Sequence, residues 1–299
     1  MARTSGRSVV DAFRIVEGRT SVLPMLAPEP VPEVAALATR IETPCGQGRM
    51  VWRSFGDGPP LVLLHGGTGS WRHWALNVIP LARRFRVLAA DLPGLGESAL
   101  PPEGATPRTV GEIVAAGIET ILGDARYDLM GFSFGALISS QVAVVHGARV
   151  RSWTVVGPAS LGLARHGTVL EKVRSKSGEE RRAANRANLA KFMFADAAAI
   201  DERAVAIQDW NTVHARFKSK GFAGTSDVRD AIASVPARVS AIWGARDVTA
   251  SPTLEARLDV LRTVRPEVGI IVIPDAGHWV SYEAAAAFNA AAIELIGGN

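Results

Sequence analysis

Tyr127-Asp128-Leu129-Met130-Gly131-Phe132-Ser133-Phe134-Gly135 joins a strand-like apolar run to a segment, 134–146, whose apolar residues recur with helical period. Between the two lies Gly-x-Ser-x-Gly. Strand, sharp turn and helix in that order place a serine hydroxyl at the end of a sheet. The glycines answer a physical need, because such a turn forces the serine into strained dihedrals and brings neighbouring backbone too close for side chains. Ser133 is therefore the candidate nucleophile.

A serine hydroxyl attacks poorly until a base takes its proton, so the reading requires a histidine and an acid to orient it. Asp247 follows an apolar run ending in Trp243-Gly244, and His278 follows one ending in Ile273-Pro274. Each stands just beyond a strand, where an open parallel sheet places its site. Asp275 is the weaker candidate acid, only three residues before His278 on the same loop. His65 precedes the nucleophile, and His73, His146, His166 and His214 lie in loop or helical text as surface or packing residues. His-Glu-x-x-His is absent and there is no Cys/His cluster, so neither a metal nor a cofactor is expected.

A tetrahedral intermediate also needs donors for its oxyanion. His65-Gly66-Gly67-Thr68-Gly69 follows the apolar run 61–64, and its glycines let a backbone N–H point into the site. The expected pair is the N–H of Gly67 and that of Phe134. The loop lacks the lysine of a phosphate-binding P-loop and the spacing of a dinucleotide fingerprint.

Outward from the elbow, strand-like runs at 39–43, 49–54, 61–64, 86–90, 127–130, 150–156, 239–243 and 268–273 alternate with helical text at 110–122, 134–146 and 283–295. Continuous Val/Ile/Leu runs alternating with amphipathic helices imply a mostly parallel sheet covered on both faces, an α/β fold. From 158 to 234 the text turns helical and charged, without a strand-like run. This predicts a core of residues 38–157 and 235–299 interrupted by a helical cap at 158–234. Residues 1–37 form an N-terminal extension with four prolines at 23–32, which rules out regular helix or central strand there.

The 299 residues include 47% hydrophobic and 21% charged side chains, as expected of a globular chain that folds unaided. The formal charge of +4 is scattered, with no basic run or reading motif, so no nucleic-acid partner is expected. Asp11, Arg14 and Glu17 interrupt the first residues before signal-peptide length, and no window is long and apolar enough to span a membrane. A lone cysteine, Cys45, makes no internal disulfide; cytoplasmic residence is the default, and oligomeric state is left open.

His65-Gly66-Gly67, Asp91-Leu92-Pro93-Gly94-Leu95-Gly96-Glu97-Ser98, the 131–135 elbow, Gly244-Ala245-Arg246-Asp247 and Gly277-His278-Trp279 occur in one order. With these motifs, residues 38–299 resemble the α/β-hydrolase superfamily. The resemblance implies a Ser133, Asp247, His278 triad in that chain order and a structural role for Asp91. A serine nucleophile separates the chain from dehalogenases and epoxide hydrolases, which place aspartate there.

Gly277-His278-Trp279, Glu283 and Phe288-Asn289 look like the meta-cleavage-product hydrolases, which split C–C bonds in products of aromatic-ring degradation. Two positions depart from them. Phe132 stands where they carry asparagine, and Asp209-Trp210 where they carry a cap arginine before tryptophan. A carboxylic ester or related small acyl substrate is therefore expected, with C–C hydrolysis as the alternative and a non-catalytic ligand receptor as the alternative of another class. Gly66, Trp71, Phe132, Trp153, Trp210 and Trp279 are the candidates for lining a substrate pocket. The cap holds thirteen Lys/Arg against nine Asp/Glu, read either as a solvated face or as attraction for an anionic substrate.

Overall fold

The computed structural model describes residues 28–164, 167–218 and 224–298. Its strands are β1 (Thr39–Cys45), β2 (Gly48–Phe55), β3 (Pro60–Leu64), β4 (Arg86–Ala90), β5 (Tyr127–Phe132), β6 (Val150–Val156), β7 (Arg238–Gly244) and β8 (Gly269–Ile273). They form one eight-stranded sheet in the order β1-β2-β4-β3-β5-β6-β7-β8. β1, β2 and β4 pair antiparallel; from β4 through β8 every neighbour is parallel. β5 is buried at all six positions, as a central parallel strand covered on both faces must be.

The helices are α1 (Pro32–Ala35), α2 (Val78–Ala82), α3 (Pro107–Leu122), α4 (Phe134–His146), α5 (Gly178–Phe192), α6 (Glu202–His214), α7 (Asp227–Ser234), α8 (Leu254–Val264), α9 (Val280–Glu283) and α10 (Ala285–Gly297). Strand alternation divides the core in two. Val62, Leu64, Leu88, Leu129, Val155 and Ala241 face α3, α4, α7 and α8. Leu61, Leu63, Val87, Met130, Val156 and Ile242 face α2 and α10. The start of α3 illustrates the local code: Thr106 accepts from the Thr109 N–H, Thr109 reciprocates, and Pro107 occupies the first turn, where its missing N–H costs nothing.

Between β6 and β7 the chain leaves the sheet. Leu189, Phe194, Ile200, Ala204, Val205 and Ile207, from α5, α6 and their connection, join the same buried cluster as Trp71, Trp74 and Trp279. The covering segment thus shares the core's apolar interior. α7, although inside the 158–234 stretch, packs with Val228, Ala231 and Ile232 into the opposite cluster beside α4 and α8. It belongs by packing to the sheet-covering layer, because its buried face matches the sheet side and leaves its acidic residues outside.

Of the N-terminal extension, residues 1–27 lie outside the described residues. Those from 28 dock onto the body: Val31 is fully buried, and Glu29 accepts from Nε of buried Arg72 at 2.8 Å and from its Nη2. Arg72 in turn lies over the Trp210 ring, 3.5 Å from its centroid, and Ser70 donates to Asn211 at 2.6 Å. Extension, 70–74 turn and α6 are therefore joined.

His65 ties the ends of β3 and β4 together. Its Nδ1–H donates to Gly66 O at 2.7 Å, and its Nε2 accepts from the Leu92 N–H at 2.9 Å, which fixes a neutral ring. Burial pushes its pKa down to about 4, against the opposing bond to Gly66. The unfolded chain binds this proton near pH 6.5, so between those values the unfolded state holds more protons and stability falls as pH falls. The contribution is present above pH 6.5 and is lost on descending through about 4; it amounts to at most about 3 kcal/mol. Buried His73, shifted in the same direction, adds to it. Urea unfolding followed from pH 7 to 4 should show this loss, and His65→Gln should lower the midpoint at pH 7 while flattening its pH dependence.

Candidate active site

Ser133 occupies the turn between β5 and α4 at φ 52, ψ −111, a conformation that costs a non-glycine residue on the order of 1–3 kcal/mol. Its N–H bonds to Val156 O at 2.9 Å, which ties the turn to β6. A side chain at Gly131 would collide with Gly135 O and Ser139 Oγ, and one at Gly135 with Leu64 O and His65 O. Those absent side chains let α4 begin directly against the end of β3. Phe134, as the first residue of α4, has an N–H with no acceptor inside the helix. The 65–69 loop lies alongside, with Thr68 at φ 48 and Gly66 packed under the Phe132 ring.

Asp247 follows β7 and His278 follows β8. The structure brings both to Ser133: Nε2 of His278 lies 2.9 Å from Ser133 Oγ, and its Nδ1 lies 2.8 Å from Asp247 Oδ2. Asp247 and His278 are buried. Burial alone would raise the Asp247 carboxyl, but the His278 charge, the bond to His278 and donors from Thr249 outweigh it and hold the group below its usual range. Asp275 stands exposed on its turn at φ 55, leaving Asp247 as the carboxylate bonded to the ring.

Two glycine contacts and one carboxylate hold the histidine loop. A side chain at Gly244 would collide with Gly277 O and Ala276 O, so the loops after β7 and β8 interlock. Glu283 accepts from the Gly277 N–H at 2.6 Å and, across to the covering segment, from the N–H groups of Ala195 at 3.0 Å and Asp196 at 2.9 Å. Trp279 N–H bonds to Met193 O at 2.7 Å. Gly157, at φ 50, is a site residue that sequence reasoning missed: a Cβ there would stand 3.2 Å from Asp247 Oδ2 and from His278 Cε1 and Nδ1. Its one signal is a glycine directly after an apolar strand. Thr249, also missed, donates its N–H to Asp247 Oδ1 at 2.8 Å.

The expected pocket residues scatter. Phe132 is buried beneath His278, ring centroids 5.0 Å apart, and supports the imidazole from below. Trp153 is enclosed in the core with its Nε1–H on Ser139 Oγ at 2.8 Å, and Trp71 is enclosed with its backbone N–H on buried Asp91 at 2.7 Å. Trp279 is buried and donates to His73 O at 2.9 Å. Trp210 is sandwiched between Arg72 and His214, the latter stacked at 3.6 Å. These indoles serve packing because each has both faces covered by neighbours. Two further rings lie near these residues: Phe192 is 5.3 Å from His278, and Phe217 is 6.3 Å from Phe134, the residue after Ser133.

Charged cap side chains are directed elsewhere. Asp209 accepts from Arg181 at 2.7 and 2.9 Å and from Asn185 at 3.0 Å; Arg203 faces Glu33 at 3.6 Å; Arg216 donates to the carbonyl oxygens of Gly96 and Ser98. Asp91 accepts from the N–H groups of Trp71 and Glu97 and so shapes the 91–98 loop. Tyr127 OH bonds to His146 at 2.7 Å, and His214 bonds back to Trp210 O. His166 lies outside the described residues. Among the described residues no cluster of His, Cys, Asp and Glu could hold a metal, and no helix is long and apolar enough to cross a membrane.

A family model described as the alpha/beta hydrolase family matches residues 61–291. The chain is 33% identical over 258 residues, 81% of its length, to the dihydrolipoyllysine-residue acetyltransferase component of the acetoin cleaving system of Pseudomonas putida. It is 36% identical over 109 residues, 36% of its length, to 2-hydroxymuconate semialdehyde hydrolase of Pseudomonas sp. (strain CF600). These matches span 65% and 38% of the two relatives. Among solved structures, naproxen esterase from Bacillus subtilis superposes with a TM-score of 0.72 at 19% identity, over 89% of this chain and 95% of that one. A meta-cleavage product hydrolase from Pseudomonas fluorescens IP01 superposes with a TM-score of 0.68 at 19% identity, over 86% and 97%. The parallel sheet with its serine turn, and a family match covering most of the length, lead to one conclusion: this chain belongs to the α/β-hydrolase family.

Proposed function

We propose that the chain is a serine hydrolase that cleaves a small carboxylic ester through an acyl-enzyme on Ser133. The observation that carries this reading is the unbroken line from Ser133 Oγ to His278 Nε2 at 2.9 Å and from His278 Nδ1 to Asp247 Oδ2 at 2.8 Å. Ser133 Oγ attacks the ester carbonyl as His278 takes its proton, and Asp247 stabilises the imidazolium that forms. The N–H groups of Gly67 and Phe134 receive the oxyanion, a role whose loss typically costs about 3–4 kcal/mol per donor. His278 returns the proton to the departing alkoxide; water, activated by the same ring, then frees the acid and regenerates Ser133. No step draws on a metal or cofactor.

Substrate class follows from charge. A buried substrate carboxylate needs a paired cation, and leaving it unpaired costs several kcal/mol. Arg181, Arg203 and Arg216 are engaged with Asp209, Glu33 and backbone carbonyls, Arg72 with Glu29, and the rings beside His278 include those of Phe132 and Phe192. That surrounding suits a neutral ester with an apolar acyl part. Asp209, turned toward Arg181, is not the repelling group; the engagement of these four arginines makes the argument instead.

Two relatives favour a second reading. One is named 2-hydroxymuconate semialdehyde hydrolase, and the other the acetyltransferase component of an acetoin cleaving system. Both kinds of chemistry are compatible with the same serine, differing in the bond attacked or in what accepts the acyl group.

Ser133→Ala should abolish both fluorophosphonate labelling and p-nitrophenyl ester hydrolysis without a change in far-UV circular dichroism. Residual activity within about tenfold of the parent removes Ser133 as nucleophile, since losing a triad member costs far more. Loss of labelling also separates an enzyme from a binding-only receptor.

Short and medium p-nitrophenyl esters should be hydrolysed, and a ring-fission product cleaved weakly. A higher kcat/KM for the ring-fission product than for every ester reverses the assignment.

Gly157→Ala should lower kcat by about 10- to 100-fold, because a side chain at positive φ beside the dyad displaces it by a fraction of an ångström or more. Steady-state kinetics on the best ester tests this, with parental kcat as the contrary outcome.

A further inference from the structure

Thr249 stands two residues past Asp247 on the loop after β7, and it is only 7% exposed. Among the described residues its side chain meets no polar partner outside the dyad. Its N–H donates to Asp247 Oδ1 at 2.8 Å, and its Oγ1 lies 3.1 Å from His278 Nδ1.

The proton positions follow from the serine. His278 Nε2 must accept from Ser133 for the serine to be activated, so Nδ1 carries the hydrogen. That Nδ1–H is shared between Asp247 Oδ2 at 2.8 Å and Thr249 Oγ1 at 3.1 Å. A threonine placed only for packing has no need of this arrangement, because valine fills the same volume.

We propose that Thr249 is a positioning residue for the reaction described above, holding Asp247 with Oδ2 toward His278 and giving the His278 Nδ1–H a second acceptor. A carboxylate held by one bond to the imidazole can rotate about its Cβ–Cγ axis. The Thr249 N–H, bonded to Oδ1 at 2.8 Å, opposes that rotation. As the imidazolium forms, the hydroxyl oxygen provides a second dipole at Nδ1 while the line to Ser133 stays straight. This inference rests on the triad reading, so one arm of its test must work without turnover.

Thr249→Val keeps the volume and the backbone N–H and removes the hydroxyl; Thr249→Ser restores it. In the full chain, Thr249→Val is expected to lower kcat about tenfold with KM within twofold of the parent, and Thr249→Ser to stay within twofold in both. Independently of any substrate, the low-field proton resonance of the His278 Nδ1–H should move in Thr249→Val and hold its place in Thr249→Ser. An unmoved resonance in Thr249→Val overturns the proposal, as does equal loss of kcat in both variants. If Ser133→Ala were to retain activity while the resonance shifted as expected, the triad reading would fall and the Thr249 contact would stand.

Discussion

The position of Ser133 is set by the approach of α4 to the end of β3. Gly135 lies against the carbonyl oxygens of Leu64 and His65 so closely that no side chain fits there, and Gly131 meets Gly135 and Ser139 in the same way. A helix can start this near a neighbouring strand only if the residue joining them accepts an unfavourable backbone, and Ser133 does so at φ 52. The strain has a geometric return. It lifts the hydroxyl out of the sheet's end and sets the first N–H of α4 beside the 65–69 loop. Nucleophile and candidate oxyanion donors therefore share one origin in backbone packing.

The proposed base and acid, His278 and Asp247, come from the other half of the sheet by a similar device. Gly244 admits the carbonyl oxygens of Ala276 and Gly277, so the two loops bearing Asp247 and His278 lie together before any side chain bonds. Glu283 then gathers N–H groups from both the histidine loop and the covering segment. A carboxylate accepting several backbone N–H groups is a strong local fastening. The sheet and the covering segment are thereby set in one register around the imidazole.

Much of this was legible in the sequence because it is written locally. The alternating strands, the Gly131 to Gly135 turn, and an acid and a histidine each just past a strand depend on neighbours a few residues away. What depended on distant packing was not legible. Indole-rich positions 71, 153, 210 and 279 read equally as pocket or core, and only the fold shows all four buried, with Nε1–H of Trp153 and Trp279 bonded to Ser139 and His73 and Trp210 between Arg72 and His214. The same holds for α7, whose short amphipathic text gives no sign of which layer receives it. Gly157 and Thr249 carry no motif, and they matter only because two other loops meet there.

The stack of Arg72 on Trp210 bears on how the covering segment is held. Moving the covering segment away as a rigid unit would part that stack, the Ser70 to Asn211 bond, the Trp279 to Met193 bond and the Glu283 fastening together. It would also hydrate an arginine whose counter-charge, Glu29, comes from the N-terminal extension. These fastenings sit at separate points along the covering segment, so none is released without straining the rest, and the segment and the sheet hold together as one cooperative unit.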